Sequence, residues 1–158
     1  MFRKMLIANR GEIACRVIRT ARRMGIGTVA VYSEADRDAR HVSLADESVC
    51  IGPPPSHESY LAADKILAAC RQKGVEAVHP GYGFLSENEA FARRIEEEGL
   101  VFIGPKHCSI AAMGDKIAAR KLAEKARVTT IPGWNDVIES PGQAVKIAND
   151  IGYPVMIK

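Results

Sequence analysis

Short apolar runs alternate with amphipathic stretches along most of the chain. Lys4–Ala8, Thr28–Tyr32, Ser48–Ile51, Ala77–His79 and Leu100–Ile103 are brief, rich in aliphatic residues and bounded by turn residues; they are predicted as strands. Between them lie helical patterns. Ile13, Ala14, Val17, Ile18, Ala21 and Met24 form one apolar arc in a helix predicted over Glu12–Met24 and stopped by Gly25. Tyr60–Lys73 is a second amphipathic stretch, stopped by Gly74. Ser86 with Glu89 reads as a capping box, which predicts a third helix from Glu87 to Glu98. Short strands joined through helices predict an α/β fold: a mostly parallel sheet with helices on both faces.

The pattern changes near residue 112. Ser109–Met113 and Asp115–Ala126 read as helices, Thr129–Ile131 as a short extended piece, and Ser140-Pro141-Gly142-Gln143 as a capping box opening a helix to about Asn149. Tyr153–Lys158 reads as the start of another strand. A compact domain seldom stops on a bare apolar strand, so the expectation is a chain cut just inside a further domain. The predicted division is 1–112 for the first domain and 113–158 for linking helices plus the start of the next.

Composition adds exclusions. With 47% apolar and 26% charged residues the chain is an ordinary globular one, and no apolar run approaches a membrane span. The N-terminus carries neither a signal peptide nor an Arg/Ser-rich leader, and the four cysteines are scattered; together these predict a cytoplasmic protein with reduced thiols and no structural zinc. Net charge is +3, with 9 Lys+Arg against 4 acids in residues 1–40. That patch is too modest for nucleic acid. Arg16, Arg19 and Arg23 form a stripe opposite the apolar arc, read either as a solvated face or as a protein contact.

The candidate chemistry centres on His79–Ala92, HPGYGFLSENEAFA. Pro80 holds His79 extended and ends the strand, and Gly81 and Gly83 permit positive φ and close approach to the backbone. Strand, glycine turn and helix start is where open α/β sheets bind ligands; a tight turn with glycines for geometry alone is the competing reading. An acid follows the second strand in Ser33-Glu34-Ala35-Asp36, as in dinucleotide-binding folds. The first turn, however, has Gly11 alone and no Gly-x-Gly-x-x-Gly, which removes the phosphate cradle. The four histidines are not at mutual ligand spacing.

KMLIANRGEIACRVIRTARRMGI, SEADRDARHVSLADE, HPGYGFLSEN, FIGP, MGDK and GYPVMIK follow one another in this order. Together they resemble the N-terminal domain of biotin carboxylase, as in biotin-dependent acyl-CoA carboxylases. Within that family the details are similar to the α subunits of propionyl-CoA carboxylases first and of 3-methylcrotonyl-CoA carboxylases next. The resemblance implies a Rossmann-like preATP-grasp domain followed by the truncated start of an ATP-grasp region. It implies an enzyme that uses MgATP and bicarbonate to make carboxyphosphate and carboxylates N1′ of biotin on a carrier protein. A partner carboxyltransferase subunit then selects the acyl-CoA.

Residue by residue, the resemblance implies ATP contacts at Lys116 and Lys158 and a substrate-side turn at Tyr82, Gly83 and Glu87. Glu87 is the one catalytic candidate, and no metal ligand falls within the chain. It also implies a homo-oligomer contact at Arg16 and Arg19. The glycine-rich lid, acidic Mg²⁺ ligands and catalytic arginines are expected beyond Lys158, so these 158 residues alone are expected to be inactive. Two other readings stay open: the leading domain of a different ATP-grasp ligase, and a non-catalytic nucleotide-binding or interaction module.

Overall fold

The computed structural model describes residues 2–114, 116–129, 133–134 and 136–156, with the backbone alone at Lys116. Two compact units divide at Ile110/Ala111. The first is built on five parallel strands: β1 (Lys4–Ile7), β2 (Gly27–Ser33), β3 (Glu47–Gly52), β4 (Ala77–His79) and β5 (Val101–Phe102), in the order β3-β2-β1-β4-β5. The chain builds outward from β1 to β2 and β3, then returns to place β4 on the other side of β1. The sheet therefore has its switch point between β1 and β4.

Side-chain alternation sorts the strand residues onto two faces. Met5, Ile7 and Ala77 face a cluster with Ala14, Val17, Ile18 and Ala21 of helix α1 (Gly11–Arg23). Leu6, Val29, Val31 and Val78 face the other cluster. There they meet Ile66 and Leu67 of α3 (Ala63–Lys73) and Phe91 and Ile95 of α4 (Glu89–Glu97). Each such aliphatic side chain contributes about 1.5–3 kcal/mol when fully buried. The short α2 (Arg40–Leu44) follows a single 3-10 turn at Glu34–Asp36.

Several elements differ from the sequence expectation. Met24 lies past the end of α1 and is 56% exposed, and Cys15 is buried in addition to the expected arc. Helix α3 starts at Ala63, not Tyr60, because Tyr60 is drawn into the core and hydrogen-bonded there. The capping box at Ser86 does not form. Ser86 N–H closes a turn onto the Gly83 carbonyl at 2.9 Å, and Asn88 caps α4 by accepting from Phe91 N–H at 2.8 Å. Asparagine is as good an N-cap as serine, so the turn takes Ser86 and the helix starts two residues later.

In the second unit, α5 (His107–Gly114) runs in from the first, and α6 (Lys116–Lys125) and α7 (Pro141–Ile151) follow. Ser140 caps α7 by accepting from Gln143 N–H at 3.2 Å, with Pro141 in the first turn. Lys121 pairs with Asp136 at 2.7 Å. Of its described residues only Ile147 is buried. Of the strand expected at Tyr153–Lys158, Tyr153–Met156 has no ladder partner among the described residues and is not a strand, and positions 157 and 158 lie outside them. The extended piece expected at Thr129–Ile131 falls mostly outside the described residues.

Candidate functional site

Residues at the carboxyl ends of β1, β2 and β4 converge on the turn 79–84. The turn is unusual in its backbone: Gly81, Gly83 and the non-glycine Phe84 all have positive φ, at 67°, 66° and 46°. A bulky residue in the left-handed region costs of order 1–3 kcal/mol and persists only where neighbours over-determine it. The neighbours that do so are identifiable.

From β1 comes Asn9, 3% exposed. Its amide nitrogen donates to the carbonyls of Pro80 and Tyr82, both at 2.8 Å, and its oxygen accepts from Arg10 N–H at 2.9 Å. Gly81 packs directly against it. From β4 comes His79, whose Nδ1 accepts from Gly81 N–H at 3.0 Å. The ring is therefore neutral with its proton on Nε2, and burial holds its pKa below the ordinary histidine value.

A second set of contacts fixes the far end of the turn. Phe84 stacks on Tyr60, centroids 5.2 Å apart and planes 15° apart. The Tyr60 hydroxyl donates to Asp36 Oδ2 at 2.6 Å and accepts from Ser33 N–H at 3.0 Å. Burial first, and then the Asp36 carboxylate, push the phenol up to about 12. Asp36 also accepts from Ser33 Oγ at 3.3 Å and pairs with Arg10 at 3.5 Å, and the Arg10 guanidinium lies 5.7 Å from the Tyr60 ring centre. The acid after the second strand, Asp36, is thus engaged by tyrosine, serine and arginine side chains.

The residues singled out in the sequence fall in different places. Tyr82 is 64% exposed at the tip of the turn, beside exposed Gly83, whose Cβ position is open space. Glu87 is exposed in the turn before α4, not within the helix. Lys116 is the first residue of α6, and its side chain, like all of Lys158, lies outside the described residues. Arg16 and Arg19 are exposed on α1, where they line a shallow hollow with Thr20, Arg22 and Arg23. Of these, Arg22 reaches the Leu44 carbonyl at 2.6 Å. Among the described residues no three His, Cys, Asp or Glu side chains converge as metal ligands.

Sequence reasoning missed Asn9 and Tyr60. The first had a signal: a polar residue directly after a buried strand, opposite a glycine turn at another strand end.

The fold is an open α/β domain with a glycine turn at its switch point, the place where ligands of open α/β sheets generally lie. Residues 1–110 match the family model described as biotin carboxylase, N-terminal domain, and the chain belongs to that family. Residues 115–158 match the carbamoyl-phosphate synthase L chain, ATP binding domain. The propionyl-CoA carboxylase alpha chain of Ruegeria pomeroyi is 62% identical over 158 residues, all of this chain and 23% of that protein. The mitochondrial propionyl-CoA carboxylase alpha chain of Homo sapiens is 57% identical over 157 residues, 99% of this chain and 22% of its own length. The chain thus spans under a quarter of the length of these relatives.

Among solved structures, the biotin carboxylase domain of a thermophilic 2-oxoglutarate carboxylase bound to bicarbonate is 50% identical, with a TM-score of 0.89. It is covered over 35% of its length by all of this chain. The Campylobacter jejuni biotin carboxylase in complex with β,γ-ATP is 44% identical with a TM-score of 0.92, over 98% of this chain and 34% of its own.

Proposed function

We propose that this chain forms the N-terminal part of the biotin carboxylase component of an acyl-CoA carboxylase of the propionyl-CoA carboxylase type. The whole enzyme uses MgATP and bicarbonate to make carboxyphosphate, and carboxylates biotin held on a carrier domain. A carboxyltransferase subunit then passes the carboxyl group to the acyl-CoA. The family match over 1–110 and the relatives at 62% and 57% identity support this reading. The bicarbonate and β,γ-ATP complexes of the structural neighbours support the reactants.

The observation that carries it is the turn 79–84. It offers an exposed, Cβ-free stretch of backbone and an exposed ring, Gly83 and Tyr82, at the edge where an α/β sheet receives its ligand. Its part in the reaction is to form the wall against which bicarbonate and biotin lie. Glu87, exposed beside it, orients a basic group brought by the next domain. Lys116 and Lys158 hold ATP phosphates as compact point charges.

The test is Gly83→Val in the full-length subunit. A β-branched residue is strained at φ 66° and places a side chain where the substrate backbone contact would be. Biotin-dependent ATP cleavage should fall at least tenfold in a variant that still melts cooperatively. Unchanged turnover in a folded variant removes the turn from the site.

A further inference from the structure

We infer that Asn9 is a positioning residue for the biotin-side wall: it sets the orientation of the Tyr82–Gly83 peptide without touching the reactants. This deepens the proposed function and rests on it. One amide group takes two carbonyls of the turn, those of Pro80 and Tyr82, at 2.8 Å each. In a trans peptide the C=O and N–H point in opposite directions. Drawing the Tyr82 carbonyl inward onto a buried side chain therefore turns the Gly83 N–H outward, on the exposed side of the turn.

The fit is reciprocal. A Cβ at Gly81 would lie 2.7 Å from Asn9 Nδ2 and 3.1 Å from Asn9 Cβ, so the turn can close on Asn9 only with glycine at 81. Glycine at 83, by contrast, meets nothing within 4 Å. The two glycines thus have separate uses: Gly81 admits the clamp and Gly83 leaves the presented edge bare. His79 Nδ1 takes the Gly81 N–H at 3.0 Å, so the Pro80–Gly81 peptide is held at both ends. Asn9 is fixed in turn, because its oxygen is engaged by Arg10 N–H at the start of α1. A flipped amide would aim that oxygen at two carbonyl oxygens.

The experiment compares Asn9→Asp, Asn9→Ser and Gly81→Ala with Gly83→Val in the full-length subunit. Asn9→Asp opposes a carboxylate to both carbonyls. Asn9→Ser retains a local acceptor for Arg10 N–H but is too short to span the turn, and is the milder change to the fold. Gly81→Ala disturbs the same contact from the other side. Melting temperature, and KM for free biotin and for ATP, are measured for each. Expected is a rise of tenfold or more in KM for biotin, with KM for ATP within twofold, in every variant that melts cooperatively. A residue needed only for folding would lower the melting temperature and the active fraction and leave both KM values alone. That result in Asn9→Ser overturns the inference. If Gly83→Val raises KM for biotin and the folded Asn9 and Gly81 variants do not, positioning fails and the site stands. If none does, the reading of the turn itself fails.

Discussion

Tyr60 and Phe84 stack nearly face to face, 5.2 Å between ring centres, although they belong to connections that follow different strands. Tyr60 precedes α3 and Phe84 closes the turn after β4. The pair ties the two connections together and gives the left-handed Phe84 a partner that opposes its relaxation.

Tyr60→Phe keeps that stack and removes only the hydroxyl. The Ser33 N–H then loses its acceptor in a buried setting, and Asp36 loses its shortest hydrogen bond, 2.6 Å. A loss of about 1–3 kcal/mol is expected, measured as a lower urea midpoint with unchanged slope. No change in midpoint would show that water replaces the hydroxyl freely.

Stability should fall on mild acidification. Burial holds His41 and His79 below the ordinary histidine value, and the Val31 carbonyl and Asp36 only partly offset this at His41. An unfolded histidine titrates near ~6.5. Between that value and the lower folded value the unfolded chain binds more protons, so stability rises with pH across the window. It is complete above ~6.5 and drains as pH falls towards the folded value, at up to about 1.4 kcal/mol per pH unit per group. At His79 protonation also removes the acceptor for Gly81 N–H. Urea midpoints at pH 8 and 5.5 check this, and His79→Gln should flatten the difference.

Lys116→Gln in the full-length subunit should raise KM for ATP ten- to hundredfold, the equivalent of about 1.5–3 kcal/mol for a desolvated charge-assisted bond to phosphate. The isolated 158-residue chain should bind MgATP weakly and release no phosphate with bicarbonate and biotin, because any lysine–phosphate pair left in water is screened to under about 1 kcal/mol. Calorimetry and a phosphate assay read both. Unaltered KM in the variant would end the role given to Lys116.

The arginines of α1 supply a test of association. Arg16 and Arg19 are exposed, Arg19 donating from Nε to the Cys15 carbonyl of its own helix, while neighbouring Arg22 reaches the Leu44 carbonyl. Reversing both Arg16 and Arg19 to Glu should move the sedimentation profile of the subunit towards smaller species. An unmoved profile returns the stripe to solvent.

How far the sequence carried depended on the range of the interaction. Strand positions follow from local apolar runs, and α1 and α7 from local punctuation. The α4 start was misplaced by two residues because Ser86 and Asn88 compete for one cap, and the winner depends on the carbonyl of Gly83, which local pattern does not reveal. Tyr60 read as the start of a helix because its true partners, Asp36 and Phe84, lie 24 residues either side of it. The turn was legible from its glycines and proline. What holds it was not, since Asn9 reaches it from 71 residues away.

That separation has a consequence for how the protein is made. Of the five strands β1 leaves the ribosome before the others, and it can pair with β2 soon afterwards. Its other edge is reserved for β4, and the Asn9 amide for carbonyls about 70 residues later in the chain. At 5–20 residues per second, β1 waits roughly 4–14 s with one flank of its backbone unpaired. During that interval the nascent chain offers an apolar strand edge, and its central glycine turn does not yet exist. Any chaperone contact that shields the newborn sheet has to let go of this flank before the turn can take its final form.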